Sequence, residues 1–463
     1  MVVIHSPYSF QPERSYIYDV VFHEFLNWDY KIYWEERKDI SLSFANNAQL
    51  SISDLFFSMN QAIWMKLESL PTEPLKRWDV TDLNLEINVC DNLIPVLFGE
   101  NVLNNQYLVL SNNQAILKID LFGSIFFMLS RYEEIVSSDR DRPGQFYAKQ
   151  ALAFRENFLE RPIVNEYLNI FLLICKKLYS GLEIKKRTFT CWATHDVDTA
   201  FKYYKKNLIN VLRIFKKYIF KCQFYGGFNF IWGWLKYKNN LSKDPYFCFD
   251  QIMRIDERFN VKGTFFFIVN GQSVKDGDYS IFSEDLKKLF LHIYSHGHKI
   301  GLHTSFNTFE FPEFIKKEFQ ELLKLCSSLG IQQTQWEARH HYLRWNIHSS
   351  FRALQDAGLS YDSSLGFPDS IGFRCGTCYA FSVYDFKVRQ KLNLIERPLI
   401  VMDSTLFSSQ YMNMSDKVDL AYNKTIKLKN ICRNFGGEFV ILWHNNTFEN
   451  NMLIEFYKGV LEA

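Results

Sequence analysis

The run Thr188-Phe189-Thr190-Cys191-Trp192-Ala193 has the branched and aromatic make-up of a strand, and it passes directly into Thr194-His195-Asp196-Val197-Asp198. Strand side chains alternate faces, so the carboxylates of Asp196 and Asp198 leave the strand end on the same side. Two anions held that close repel unless a metal, a proton or an arginine lies between them. Taken alone, the pair is equally a turn in which one Asp caps the next helix and the other is solvated. Other segments supply groups that such a turn does not need. A very hydrophobic strand-like run, Gly263-Thr264-Phe265-Phe266-Phe267-Ile268-Val269, precedes Gly297-His298-Lys299-Ile300-Gly301-Leu302-His303-Thr304-Ser305. Arg339-His340-His341-Tyr342, Tyr361-Asp362-Ser363-Ser364-Leu365 and Val440-Ile441-Leu442-Trp443-His444 follow, each at or beside an expected strand end. Imidazole nitrogen and carboxylate oxygen suit zinc and similar divalent ions. A spare Asp, Arg and His suit water activation and protonation of a leaving group.

From 188 onward strands and helices alternate, which predicts a parallel sheet or barrel with its chemistry at the strand C-termini. Helices are expected over 249–259, 284–293, 313–329 and 349–357, the last stopped by Gly358. Alternation by itself suits a closed barrel and an open doubly wound sheet equally. Residues 1–185 read as a smaller α+β domain. It has short strands such as 15–21, an apolar run at 96–98, a helix over 120–134 and another over 164–179. Arg131 with Glu133 and Glu134 reads there as a solvated or structural ion pair. The expected domains are therefore 1–185 and 186–463.

Length, 463 residues, suits two such domains, and a net charge of +2 argues against a nucleic-acid partner and other polyanions. Aromatic content of 17% fits both a packed core and sugar-binding platforms. The nine cysteines are odd in number and irregularly spaced, and Cys375-Gly376-Thr377-Cys378 reads as packing thiols. The opening residues lack a leader's basic and apolar regions, and no run approaches the roughly 18 apolar residues of a membrane span. The expectation is a reduced, cytoplasmic protein, with peripheral contact to the inner membrane through one insertion. Residues 199–243 contain no Asp or Glu, while Lys202, Lys205, Lys206, Arg213, Lys216, Lys217, Lys221, Lys236, Lys238 and Lys243 interleave with aromatic residues. That pattern suits an anionic membrane surface or a lipid-linked substrate. It equally suits a solvated basic face that packs its aromatic side on the barrel.

The segments at 194–198, 297–305, 339–341 and 442–444, in that order, resemble the polysaccharide deacetylase (NodB-type carbohydrate esterase) family over roughly 188–463. The resemblance implies a distorted (β/α) barrel of seven strands. It implies Asp196 as general base, Arg339 as the group that orients it, His444 as general acid, and Asp198 and His303 as ligands of a divalent metal, with zinc expected. The family's second metal-binding His falls on Asn307, whose neutral amide oxygen is a weak zinc ligand. His341, at the family's Pro position, or His340 beside it is the candidate replacement, with His341 preferred. His298 is expected to be structural, and Arg374 and Asp403 are candidates for lining a substrate cleft. The segments 121–134, 161–164 and 372–378 resemble the uncharacterised domain and subgroup found with this module in bacterial surface-polysaccharide loci. The implied activity is removal of an N-acyl group, less readily an O-acyl group, from an amino sugar or polysaccharide precursor. Two alternatives stand beside it: a glycan-binding or assembly protein that has lost its chemistry, and a cyclic-amide hydrolase on the same barrel. Oligomeric state is not legible.

Overall fold

The structure, a computed structural model, describes residues 1–81, 87–137, 144–220, 222–271 and 273–463. The protein is mixed α/β and divides into two compact units, Met1–Cys191 with Tyr342–Val440, and Trp192–His341 with Ile441–Ala463. The chain leaves the first unit near the change of pattern at 185 and returns to it for 342–440.

The second unit is built on β1 (Thr190–Val197), α1 (Leu208–Phe220), α2 (Phe224–Tyr237), α3 (Phe249–Arg258), β2 (Thr264–Ile268), α4 (Glu284–Ser295), β3 (Lys299–Thr304), α5 (Phe314–Ser328), β4 (Glu337–His340), the end of β5 (Glu438–Leu442) and α6 (Asn451–Glu462). Its strands lie in the order β4-β3-β2-β1-β5, and β1 to β4 pair in parallel. β2 is buried at every position, which is why its apolar run is continuous rather than alternating. The register pairs Asp196 with Phe266, Phe266 with Gly301, Ile268 with His303, and His303 with Arg339. The C-terminal ends of four strands are thus level, and the residues singled out in the sequence converge there. Gly301 makes this packing possible. A Cβ added to it would meet Phe266 Cδ1 at 2.4 Å, so the glycine lets that ring lie across β3. The Arg339 guanidinium then rests over the ring, 4.9 Å from its centroid.

The first unit holds a six-stranded sheet in the order Tyr30–Glu35, Val2–Pro7, Asp39–Ser43, Gln49–Ser53, Gln114–Leu117, Leu108–Leu110. The strand expected at 15–21 is instead helical, an α-helix at Gln11–Tyr18 that continues as a π-helix at Asp19–Phe25. Pro12 sits in the first turn, where a missing N–H costs nothing. Tyr16, Ile17, Val20 and Val21 are buried together, a helical stripe that their β-forming side chains disguise. The helix expected at 120–134 is two helices, Leu121–Leu129 and Tyr132–Val136, broken at Arg131 with φ 57°. Asp120 caps the first, accepting the Gly123 N–H at 2.8 Å.

The break directs Arg131 inward. Its Nε and Nη2 donate to Glu134 at 2.9 Å and Glu133 at 2.6 Å, and Arg374 donates to Glu134 at 2.9 and 2.7 Å. The ion pair is buried and structural, not solvated. Arg374, a candidate cleft residue, is likewise enclosed, with Nη1 on the Gly366 carbonyl at 2.8 Å. Asp403 is buried and accepts the Ser404 N–H at 2.6 Å. Cys375 and Cys378 are buried, and all nine cysteines are free.

Candidate metal centre

β1 and the residue that follows it deliver Asp196 and Asp198 to one side, as period two requires. His303, one residue before the end of β3, brings its Nε2 to 3.2 Å from Asp198 Oδ1 and 3.6 Å from Asp196 Oδ2. His341, the first residue after β4, brings its Nε2 to 3.5 Å from the same Asp198 oxygen. His444, two residues past β5, places Nε2 3.7 Å from Asp198 Oδ2. One donor atom each from Asp198, His303 and His341 lie within 4.8 Å of one another. A tetrahedral ion with bonds of about 2.0–2.2 Å holds its donors roughly 3.3–3.6 Å apart. The cluster's spacing and its nitrogen-and-oxygen donor set therefore fit a divalent metal.

What lies behind the rings decides which nitrogen each presents. His303 Nδ1 is 2.8 Å from the Arg339 carbonyl, which can only accept. His341 Nδ1 is 2.9 Å from Asp276 Oδ1. Both Nδ1 atoms therefore carry the proton, and both Nε2 lone pairs point at the centre when the rings are neutral. Asp276 was not among the residues expected from sequence. It also accepts the Phe306 N–H at 2.8 Å and the Ser273 N–H at 3.1 Å. Its loop is pressed onto the strand ends. A Cβ on Gly277 would fall 2.1 Å from the Asp198 carbonyl oxygen, and the Tyr279 hydroxyl donates to the Val197 carbonyl at 2.6 Å while accepting the Ile268 N–H at 2.8 Å. In sequence, Asp276-Gly277-Asp278 shows only a turn signal, which a solvated loop would share.

The electrostatics favour a cation. Burial works against the charge of Asp198, yet His341, His303 and His444 outweigh it and hold the carboxyl far below the usual carboxylate range. Burial likewise opposes a charged His303, but the facing carboxylates of Asp196 and Asp198 win and raise its pKa. Burial opposes ionised Asp276 too, and its bonds from His341 and the backbone prevail, lowering its pKa. The potential that draws a proton onto His303 is offered equally to a metal, which must displace that proton.

Arg339 is fully buried beside this cluster, with Nη1 2.9 Å from Thr194 Oγ1 and 3.4 Å from Asp196 Oδ1. Asp196 thus sits between Arg339 and His303. Of the two neighbouring histidines, His341 is the one brought to Asp198 and His303. His340 turns the other way, its Nδ1 3.0 Å from Thr304 Oγ1. Asn307 lies in the short 3-10 turn Phe306–Phe309, where its carbonyl accepts the N–H groups of Glu310 and Phe311. Immediately after His341, Tyr342 and Leu343 both hold left-handed backbone, φ 60° and 54°. Such conformations cost about 1–3 kcal/mol each and mark a turn the surroundings enforce. His298 is at the opposite strand ends, where its Nδ1 accepts the Gly263 N–H at 2.9 Å and burial lowers its pKa. It lies away from the Asp198 cluster, and its Nδ1 is taken up by the backbone.

Residues 2–180 match a family of unknown function (DUF7033). No curated protein matches the chain. Among solved structures it is similar to a "putative polysaccharide deacetylase" from Mycobacterium smegmatis, at 16% identity and a TM-score of 0.38, over 60% of this chain and 85% of that one. That likeness is too distant to decide fold or chemistry.

Proposed function

We propose that this protein is a metal-dependent hydrolase that removes an N-acyl group from an amino sugar or saccharide precursor in surface-polysaccharide synthesis, on a barrel of the deacetylase type. The observation that carries the reading is the convergence of two pre-oriented Nε2 atoms and Asp198 on one point, flanked by Asp196 on Arg339 and by His444. The four motif segments in family order support it. The metal is proposed to be zinc, held by Asp198, His303 and His341, with Asn307 within the adjoining turn as a further, weaker oxygen donor. A bound divalent ion supplies Lewis acidity to the acyl carbonyl and acidifies water.

The chain's own groups supply the rest. Asp196, aimed by the Arg339 Nη1, takes the proton of the attacking water at its carboxylate. His444 Nε2 donates a proton to the departing nitrogen, since an amide anion is too poor a leaving group to depart unprotonated. An ester would need that proton less, so His444→Ala should damage amide cleavage more than ester cleavage. Residues 1–185 are proposed as an α+β domain that shares its compact unit with Tyr342–Val440.

The test is elemental analysis of full-length protein purified without chelator, paired with acetate release from acetamido sugars. Stoichiometric metal and acetate release, both lost in His303→Ala, are the expected result. Metal-free protein that still binds oligosaccharide would make the chain a glycan-binding assembly subunit. Ring-opening of cyclic amides without acetate release would make it a cyclic-amide hydrolase.

A further inference from the structure

The α1–α2 hairpin buries one side upon itself, around Tyr203, Val211 and Phe230 with Tyr218 and Trp234 packed against them. On the other side Leu208, Leu212 and Phe220 of α1 and Phe224, Phe228 and Trp232 of α2 are each more than half exposed. Phe224, Phe228 and Trp232 recur at four-residue spacing, a stripe along one helix face. Its charge is one-signed. Lys202, Lys205 and Lys206 at the hairpin's root pair with Glu449, Asp285 and Asp278, so these three are packing contacts. Arg213, Lys216, Lys217, Lys236 and Lys238 have no carboxylate partner among the described residues. Lys221 lies outside the described residues.

We infer that this hairpin is an interfacial docking element for an anionic lipid bilayer. Helices of 13 and 14 residues are too short to cross a membrane, which takes about 20. An exposed apolar stripe edged by lysine instead suits a helix lying in the headgroup plane, aromatics down and cations at the phosphates. A second copy of the chain is a poorer occupant, because a two-fold contact would set cations against cations in a segment that contains no acid. The hairpin is also tied to the metal centre. Lys206 pairs at 2.5 Å with Asp278, two residues from the Asp276 that orients His341. The Lys206 carbonyl accepts the Trp234 Nε1–H at 3.0 Å, and Asp244 accepts the N–H groups of Lys202, Tyr203 and Tyr204. Docking would hold the centre at the bilayer face, where an acylated saccharide on a lipid anchor would reach it. That substrate clause rests on the proposed hydrolase reading; the docking does not.

The test is flotation of the full chain with vesicles of phosphatidylcholine alone or mixed with phosphatidylglycerol, at low and high salt. Binding to the mixed vesicles alone, weakened by salt, is expected. Lys216→Glu with Lys217→Glu and Lys236→Glu should lower partitioning on the order of a hundredfold, and Phe228→Ser with Trp232→Ser should abolish it. Acetate release from a soluble acetamido sugar should be unchanged in both variants. Vesicle binding without hydrolysis would leave the docking standing and remove only the substrate clause. No binding at low salt overturns the inference, and so does a wild-type dimer that Trp232→Ser dissociates.

Discussion

Around Glu134, in the first unit, Arg131 and Arg374 donate four hydrogen bonds and the carboxylates of Glu133 and Glu134 accept them at 2.6–2.9 Å. Around Asp198, in the second unit, the tight bonds run outward instead. His303 and His341 are held from behind at 2.8 and 2.9 Å, while their other nitrogens face Asp198 at 3.2 and 3.5 Å. Both groups are buried and charged, and both came from segments that stood out in the sequence. The first closes on itself and so serves packing. The second fixes its rings by their far nitrogens and leaves the near lone pairs aimed at a common point, which is what a ligand set requires. Burial of charge does not separate the two; the direction of the short bonds does.

Breaking the reactive group should give the largest effect. Asp196→Asn keeps the size of the side chain but removes the base, and turnover should fall by roughly 10²–10⁴-fold. Metal content should hold, since Asp198, His303 and His341 are untouched. If metal disappears together with turnover, Asp196 is a ligand and not the base.

The closed group predicts the reverse pattern. Glu134→Ala leaves Arg374 buried with its Nε and Nη2 unmatched and takes one carboxylate from Arg131. Breaking such a network costs about 3–5 kcal/mol, read as a lower denaturant midpoint at constant slope. Folded protein should keep its full metal content. A midpoint within about 0.5 kcal/mol of wild type would mean the network contributes little.

A single buried acid in the second unit sharpens the contrast, since among the described residues neither arginine nor imidazole balances it. Glu318 on α5 lies against Ser305, taking its N–H at 3.1 Å, and burial pushes its pKa up to about 7, Asp276 adding to the rise. Its folded pKa exceeds the ordinary 4.5, so the folded state holds the extra proton. The stabilisation is complete below about pH 4.5 and is lost as pH rises through about 7. Denaturation near pH 5 and near pH 8 should differ by on the order of 3 kcal/mol from this group, and Glu318→Gln should remove that component. An identical pH slope in the variant would discard it.

Much of the second unit was readable because its chemistry lies on strand ends. Period two places Asp196 and Asp198 together, and parallel strands bring His303 and Arg339 level, so order along the chain becomes proximity in space. The choice of His341 over His340 was a preference only, since it depends on how the chain leaves β4 through two left-handed residues, and no side-chain pattern encodes that. At 15–21 β-forming residues misled, because burial of one helical stripe outweighs intrinsic propensity. In the hairpin, composition showed the basic and aromatic character, but not that acids 80 and 72 residues away pair with Lys205 and Lys206. Asp276 was invisible for the same reason: its partner lies 65 residues along the chain.

Asp276 therefore offers the finest test of what sets the two charged groups apart, since it alters a metal ligand without removing one. Asp276→Asn can still present an oxygen to the His341 Nδ1–H, so the ring should keep its tautomer. Two things change. The negative charge behind the imidazole disappears, making Nε2 a weaker donor to a cation. The amide nitrogen must also take one carboxylate oxygen's place, and there it meets the Ser273 N–H, donor against donor, in a loop that Gly277 packs against Asp198. Metal affinity should drop by roughly 10–100-fold, measured on the folded protein by competition with a chromophoric chelator. Asp276→Ala, which frees the ring altogether, should cost more than Asp276→Asn. Equal affinity in wild type and both variants would mean that the bond behind His341 positions nothing, and that the Asp198 group is tied no more purposefully than the one around Glu134.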